Sequence, residues 1–158
     1  MFRKSRRTKK EISVEAAKQL LKQNRRGALA VNGDEGYPYC MPINFYYDEE
    51  ENRIYFHGSK VGHKIDSIKA NDKVCFTTWD DGTLEDGDWA YFVSSCIVFG
   101  RAKLIQDYDL ALEKIRKLAA KYYPSQEEIE EEISKDFHGV QMICIEIEHI
   151  SGKRIQEK

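Results

Sequence analysis

The chain has 158 residues, of which 33% are charged and 41% hydrophobic, with a formal net charge of −2. That length fits one domain of ~100–200 residues, and the near-neutral charge argues against a nucleic-acid binder. No apolar run reaches the ~18 residues of a membrane helix, so no membrane partner is expected. The basic start lacks the apolar stretch of a secretory signal. The four cysteines, Cys40, Cys75, Cys96 and Cys144, form no Cys-x-x-Cys pair. A zinc site is therefore not expected, and they read as small buried hydrophobes of a reduced, cytoplasmic protein.

Residues 1–12 form a basic arm, with Arg3, Lys4, Arg6, Arg7, Lys9 and Lys10, more in keeping with a solvated segment than a binding device. Ser13 is placed to cap a helix with Glu15 in its first turn, and Val14, Ala17, Leu20 and Leu21 make its apolar stripe. Arg25-Arg26 and Gly27 close that helix. Ala28 to Val31 reads as a short strand, and Asn32 to Gly36 as a turn. Tyr37 to Tyr47 is a second strand interrupted by Pro38 and Pro42, which cannot donate to a ladder and so place it at an edge or in irregular backbone.

The next stretch, Arg53 to Lys64, carries the clearest chemistry. Ile54, Tyr55 and Phe56 read as a strand, His57-Gly58-Ser59 breaks it, and from Gly62 the periodicity turns helical, with Ile65 and Ile68 three apart. A strand, a glycine-containing turn and a helix start leave backbone N–H groups free, and Ser59, Lys60, His63 and Lys64 add a hydroxyl and cationic groups. The pattern suits a phosphate, although surface lysines in such a turn are also common without a ligand. Neither the P-loop order nor a dinucleotide glycine fingerprint is present.

Lys73 to Trp79 is a further strand. Trp89 to Ile105 is one long alternating strand that puts Tyr91, Val93, Ser95, Ile97 and Phe99 on one face, with a bulge expected at Gly100. Asp107 begins a helix stopped by Pro124, and Ser125 with Glu128 has capping-box spacing for a second, whose acidic residues read as a solvated face. Val140 to Ile150 is the last strand, and residues 151–158 a polar tail. Residues 13–150 thus form a single α+β domain, an antiparallel barrel of about six strands with peripheral helices.

Taken together, Pro38 to Phe45, Ile54 to Gly58, Gly62 to Lys64, Asn71 to Phe76 and Ser95 to Ala102 resemble the FMN-binding split β-barrel group related to pyridoxamine 5′-phosphate oxidase. The nitroimidazole-resistance branch is the nearer match. The resemblance implies a homodimer with two flavins at the subunit interface, FMN in the first place and FAD as the alternative. It implies that Tyr39, Pro42, Ile43, Asn44 and Phe45 flank the ring with main-chain groups. It also implies that His57, Gly58, Ser59, Gly62, His63 and Lys64 hold the phosphate side, that Ser95 joins the cofactor set, and that His57 is the candidate for substrate-side catalysis. The arginine-rich strand and basic C-terminal motif of true pyridoxamine phosphate oxidases are missing, so that activity is not carried over. The implied activity is reduction of small molecules, with nitro-aromatic compounds among the candidates, and Tyr39, Trp79 and Trp89 are candidate aromatic walls. Two other readings stay open: a non-catalytic flavin-binding dimer of a stress response, and a haem barrel with His57, His63, His138 or His149 as axial ligand.

Overall fold

The computed structural model describes all residues, 1–158. Four helices surround one seven-stranded antiparallel sheet: α1 (Val14–Gln23), β1 (Arg26–Asn32), β2 (Pro38–Asn44), β3 (Tyr46–Asp48), β4 (Arg53–Ser59), α2 (His63–Ala70), β5 (Lys73–Trp79), β6 (Phe92–Leu104), α3 (Tyr108–Ala120), α4 (Gln126–Asp136) and β7 (Val140–Gln156). The strand order is β2-β1-β5-β6-β7-β4-β3. β2 and β3 are therefore opposite edges, yet only Phe45 separates them in the chain. A flat seven-stranded sheet is ~29 Å wide, whereas one linking residue spans ~7 Å. The sheet must curl until its edges almost meet. This is a split barrel, with seven strands where the sequence suggested about six.

The split has a local cause. β3 pairs only with Arg53, Ile54 and Tyr55 of β4, so on that side Phe56–Ser59 has no strand neighbour. β2 pairs only with β1, which suits the missing donors of Pro38 and Pro42. The free edges of β2 and of the second half of β4 face each other across the gap.

Two apolar clusters hold the fold. The larger fills the barrel with Leu29, Phe45, Ile54, Phe56, Phe76 and Ile143 among others, closed by α1 through Ala17, Leu20 and Leu21. The smaller lies outside the sheet, where α3 and α4 cover Tyr55, Met142 and Cys144. β4 and β7 are thus buried on both faces, which explains why Ile54, Tyr55 and Phe56 are all apolar. The caps are in place: Ser13 accepts from the Ala16 N–H at 3.1 Å, Asp107 from Leu110 at 2.7 Å and Ser125 from Glu128 at 3.3 Å.

The structure revises several boundaries. β7 continues to Gln156 through the segment read as a polar tail, because Phe92–Ser95 of β6 pair with Lys153–Gln156. The basic arm is also attached: the Ile12 N–H bonds the Gly152 carbonyl at 3.1 Å, and Phe2 stacks on His149 at 4.6 Å. α3 stops at Ala120, before Pro124, and β6 starts at Phe92 rather than Trp89. The bulge does fall at Phe99/Gly100, where a Cβ on Gly100 would meet the Glu146 carbonyl at 2.4 Å. Cys96 and Cys144 are buried, but Cys40 is exposed because edge strand β2 has no cover outside. No helix is long and apolar enough to cross a membrane.

Candidate functional site

Across the split lies a cleft of about 390 Å³ lined by Arg26, Pro42, Ile43, Asn44, His57 and Lys64. Its two walls are the free edges just described. Arg26 and Asn44 are register partners on β1 and β2, and His57 stands on the outward face of β4.

Lys64 is the distinctive member. It reaches in from the first turn of α2, with its ammonium 5.5 Å above the Phe56 ring. A Cβ on Gly58 would sit 2.7 Å from Nζ, so a larger residue there would push the end of the Lys64 side chain out of its present place. Lys64 is half-buried, yet no carboxylate or hydrogen-bond acceptor of the chain reaches it. Burial accordingly lowers its pKa. A half-buried charge without a partner is costly, and an anion in the cleft would relieve that cost. His57 is open to solvent on one side but walled by protein on the others. That desolvation first, and the Lys64 charge second, lower its pKa below 6.5, so the ring is neutral at pH 7.

His57-Gly58-Ser59 does not break the strand as the sequence suggested: β4 runs on through them, paired with Met142, Gln141 and Val140 of β7, and the turn before α2 is the shorter Lys60–Gly62. Gly62 is the residue before the helix, at φ 120°, a conformation reserved for glycine. The Ser59 hydroxyl accepts the Val61 N–H at 3.4 Å and tightens the turn. His63 does not enter the cleft: its ring stacks on Tyr39 at 4.1 Å, with Nε2 3.5 Å from Asp34. Tyr39 and His63 thus form a neighbouring pair rather than cleft lining.

Phe45 is wholly buried against Phe76 at 4.8 Å. Its main chain is also occupied, with its N–H donated to the Tyr122 hydroxyl at 2.9 Å and its carbonyl accepting from Tyr122 and from Lys121 at 3.1 Å. Those bonds fasten the seam, so Phe45 has no group left for a ligand. Ser95 sits on β6 between Trp79 and Lys153, outside the cleft lining. Trp79 lines an adjoining depression with Arg26 and Pro42, while Trp89 is 75% exposed in a loop.

Arg26 was missed by sequence reasoning, which assigned it to a helix end. Its place in the cleft comes from register with Asn44, a non-local pairing. Also missed was a second cleft of about 340 Å³, walled by α3 and α4 and lined on the sheet side by the same Asn44 and His57.

The sequence profile of the pyridoxamine 5′-phosphate oxidase family matches residues 13–154. The chain belongs to that family. Solved structures agree in fold. A candidate 5-nitroimidazole antibiotic resistance protein from Bacteroides thetaiotaomicron is 19% identical with a TM-score of 0.77, over 92% of this chain and 87% of that one. An FAD-binding protein from Mesorhizobium loti is 21% identical with a TM-score of 0.66, over 92% and 96%. The flavocytochrome Anf3 from Azotobacter vinelandii is 21% identical with a TM-score of 0.70, over 95% and 71%. No curated protein sequence matches the chain.

Proposed function

We propose that this family member binds a flavin, FMN, with its phosphate in the split and its ring along the β2 edge, and that it reduces small organic molecules. The observation that carries the reading is the half-buried Lys64 ammonium with no partner in the chain, beside Arg26 and packed over Gly58 of β4. Pro42, Ile43 and Asn44 would border the ring, Gly58, Ser59 and Gly62 would shape the phosphate turn, and Tyr39 and His63 would support it from outside. A bound flavin supplies the electron transfer, and the protein's part is to hold and orient it. His57 at the mouth of the cleft is positioned to hand a proton to a substrate from its imidazolium form, the minor one at pH 7, and to take a fresh proton from water afterwards.

The same reading makes the protein a homodimer with the flavins between subunits. Its support is the outer face of β5, β6 and the C-terminal end of β7, beyond the cover of α3 and α4, where Trp79, Ile97, Phe99 and Ile155 are each 36–56% exposed. Nitro-aromatic compounds are the substrate class in keeping with the fold likeness to the candidate nitroimidazole-resistance protein. Absorption and mass spectra of the ligand that co-purifies test the cofactor. Flavin bands with the mass of FMN are expected; a haem Soret band, or no chromophore after reconstitution, would overturn the reading.

A further inference from the structure

The second cleft has a polarity that neither packing nor the flavin reading explains. Its walls are apolar, with Ile115 and Leu118 from α3 and Ile133 and Phe137 from the α4 side. Its volume, about 340 Å³, matches the small end of ligand sites. The sheet side is polar: Asn44 and His57, both solvent-exposed, line it with no side-chain hydrogen bond inside the chain, and both also line the cleft of Lys64 and Arg26. The outer rim carries Glu132 and Asp136, one helical turn apart on α4. Like charges at that spacing repel. The bases around α4 are already engaged, Arg116 by Glu130 at 2.7 Å and Lys135 by Glu131 at 2.5 Å, so neither rim carboxylate has a cationic partner. An apolar slot thus runs from the acidic side at Glu132 and Asp136 to an uncharged polar end at Asn44 and His57, which borders the cleft of Lys64 and Arg26.

We propose that this slot binds a flat aromatic molecule bearing a positively charged substituent. The charged end would sit at Glu132 and Asp136, the ring between α3 and α4, and an electron-rich group at the far end beside Asn44 and His57. The ring fits the apolar walls, and the dipolar arrangement favours an occupant of matching polarity over its reverse. The identity of this occupant as the molecule to be reduced rests on the flavin reading; its binding does not.

The test uses calorimetric titration of the purified protein, without reductant, with three probes of one shape: 4-nitrobenzyltrimethylammonium, 4-nitrobenzyl alcohol and 4-nitrobenzoate. The expected order is cation, then neutral, then anion, with about tenfold between the first two. Ala119→Phe, which puts a ring into the slot from α3, should weaken the cation at least tenfold, as should Ile133→Trp from α4 should the first variant fold poorly. Glu132→Gln with Asp136→Asn should erase the preference for the cation and leave the neutral probe unchanged. Equal binding of the three probes, tightest binding of the anion, or full cation binding in the filled variants would overturn the proposal. Flavin content of the same samples is scored by absorbance. Cation binding that is lost in Ala119→Phe without any flavin present would sustain the slot and defeat the flavin reading; flavin present with no probe bound would do the reverse.

Discussion

Two lysines stand over adjacent rings of one strand, and their surroundings are opposite. Lys114 of α3 lies 4.8 Å above Tyr55 on the outer face of β4, while Lys64 of α2 lies 5.5 Å above Phe56 on the inner face. Lys114 is fully buried but bonded to Glu51 at 2.7 Å and Asp48 at 3.2 Å. Burial opposes its charge, yet the bonds to Glu51 and Asp48 outweigh it and raise the pKa. Lys64 is only partly buried, has no such partners, and has its pKa lowered. The first lysine satisfies its charge within the fold, tying α3 to the β3–β4 hairpin. The second keeps its charge available to something outside the chain. Ring contact alone would not have told them apart, and burial alone would have pointed the wrong way, since the more buried lysine is the one whose charge is held; the carboxylates decide it.

The largest expected effect follows from Lys114. Lys114→Ala would leave buried Asp48 with only the longer contact to Lys117 at 3.7 Å and Glu51 with only Arg53 at 3.9 Å, and should cost roughly 3 kcal/mol in urea unfolding, the lower end for a broken buried pair. Restoring part of that loss by adding Asp48→Asn would confirm that the stranded carboxylate is the cause. A loss below ~1 kcal/mol would remove the contrast with Lys64, since surface pairs are worth that little.

His57 comes next. His57→Ala should lower turnover at saturating flavin by ~100-fold if the ring donates a proton to substrate. Because burial and Lys64 lower its pKa and the donor is the protonated ring, the wild-type rate should rise as pH falls below 6.5, and the variant's should not. Equal turnover of the two flavin-loaded proteins would confine His57 to cofactor binding.

The smallest effect concerns a third lysine at the seam. Lys121 donates to the Phe45 carbonyl at 3.1 Å and also to the Asn24 carbonyl, with no carboxylate beside it. Burial, and then the charge of Arg25, push its pKa down from 10.5 to about 8. The unfolded chain therefore holds the extra proton between those values, and stability should climb as pH rises from about 8 to 10.5. After solvent screening the gain is roughly 1–2 kcal/mol, and it should vanish in Lys121→Met. A wild-type stability that stays flat or falls across that range relative to the variant would contradict the assignment.

Much of this was legible in sequence where the signal is local. The strand-turn-helix from Arg53 to Lys64 follows from side-chain types and glycine spacing, the edge position of β2 from two prolines, and the caps from Ser13, Asp107 and Ser125. What escaped depends on pairing between distant segments. The end of β7 looks like a tail because Ser151, Lys153 and Arg154 are polar, and only its pairing with β6 makes it a strand. Arg26 enters the cleft through its register with Asn44, and Phe45 is drawn inward because the seam closes on it. Lys114 interrupts an apolar stripe with a charge whose partners lie more than 60 residues away. His63 looks equivalent to Lys64 in sequence, but one helical step turns it toward Tyr39 instead of the split.

The most direct measurement compares FMN with riboflavin, which lacks the phosphate, in titrations of the wild type and of Lys64→Ala at fixed salt and pH. The unpaired ammonium predicts that the variant loses roughly 1.5–3 kcal/mol of FMN affinity, about 10–150-fold, while riboflavin affinity and unfolding free energy stay within ~0.5 kcal/mol of wild type. An unchanged FMN affinity, or an equal loss for both ligands, would show that Lys64 does not hold the phosphate.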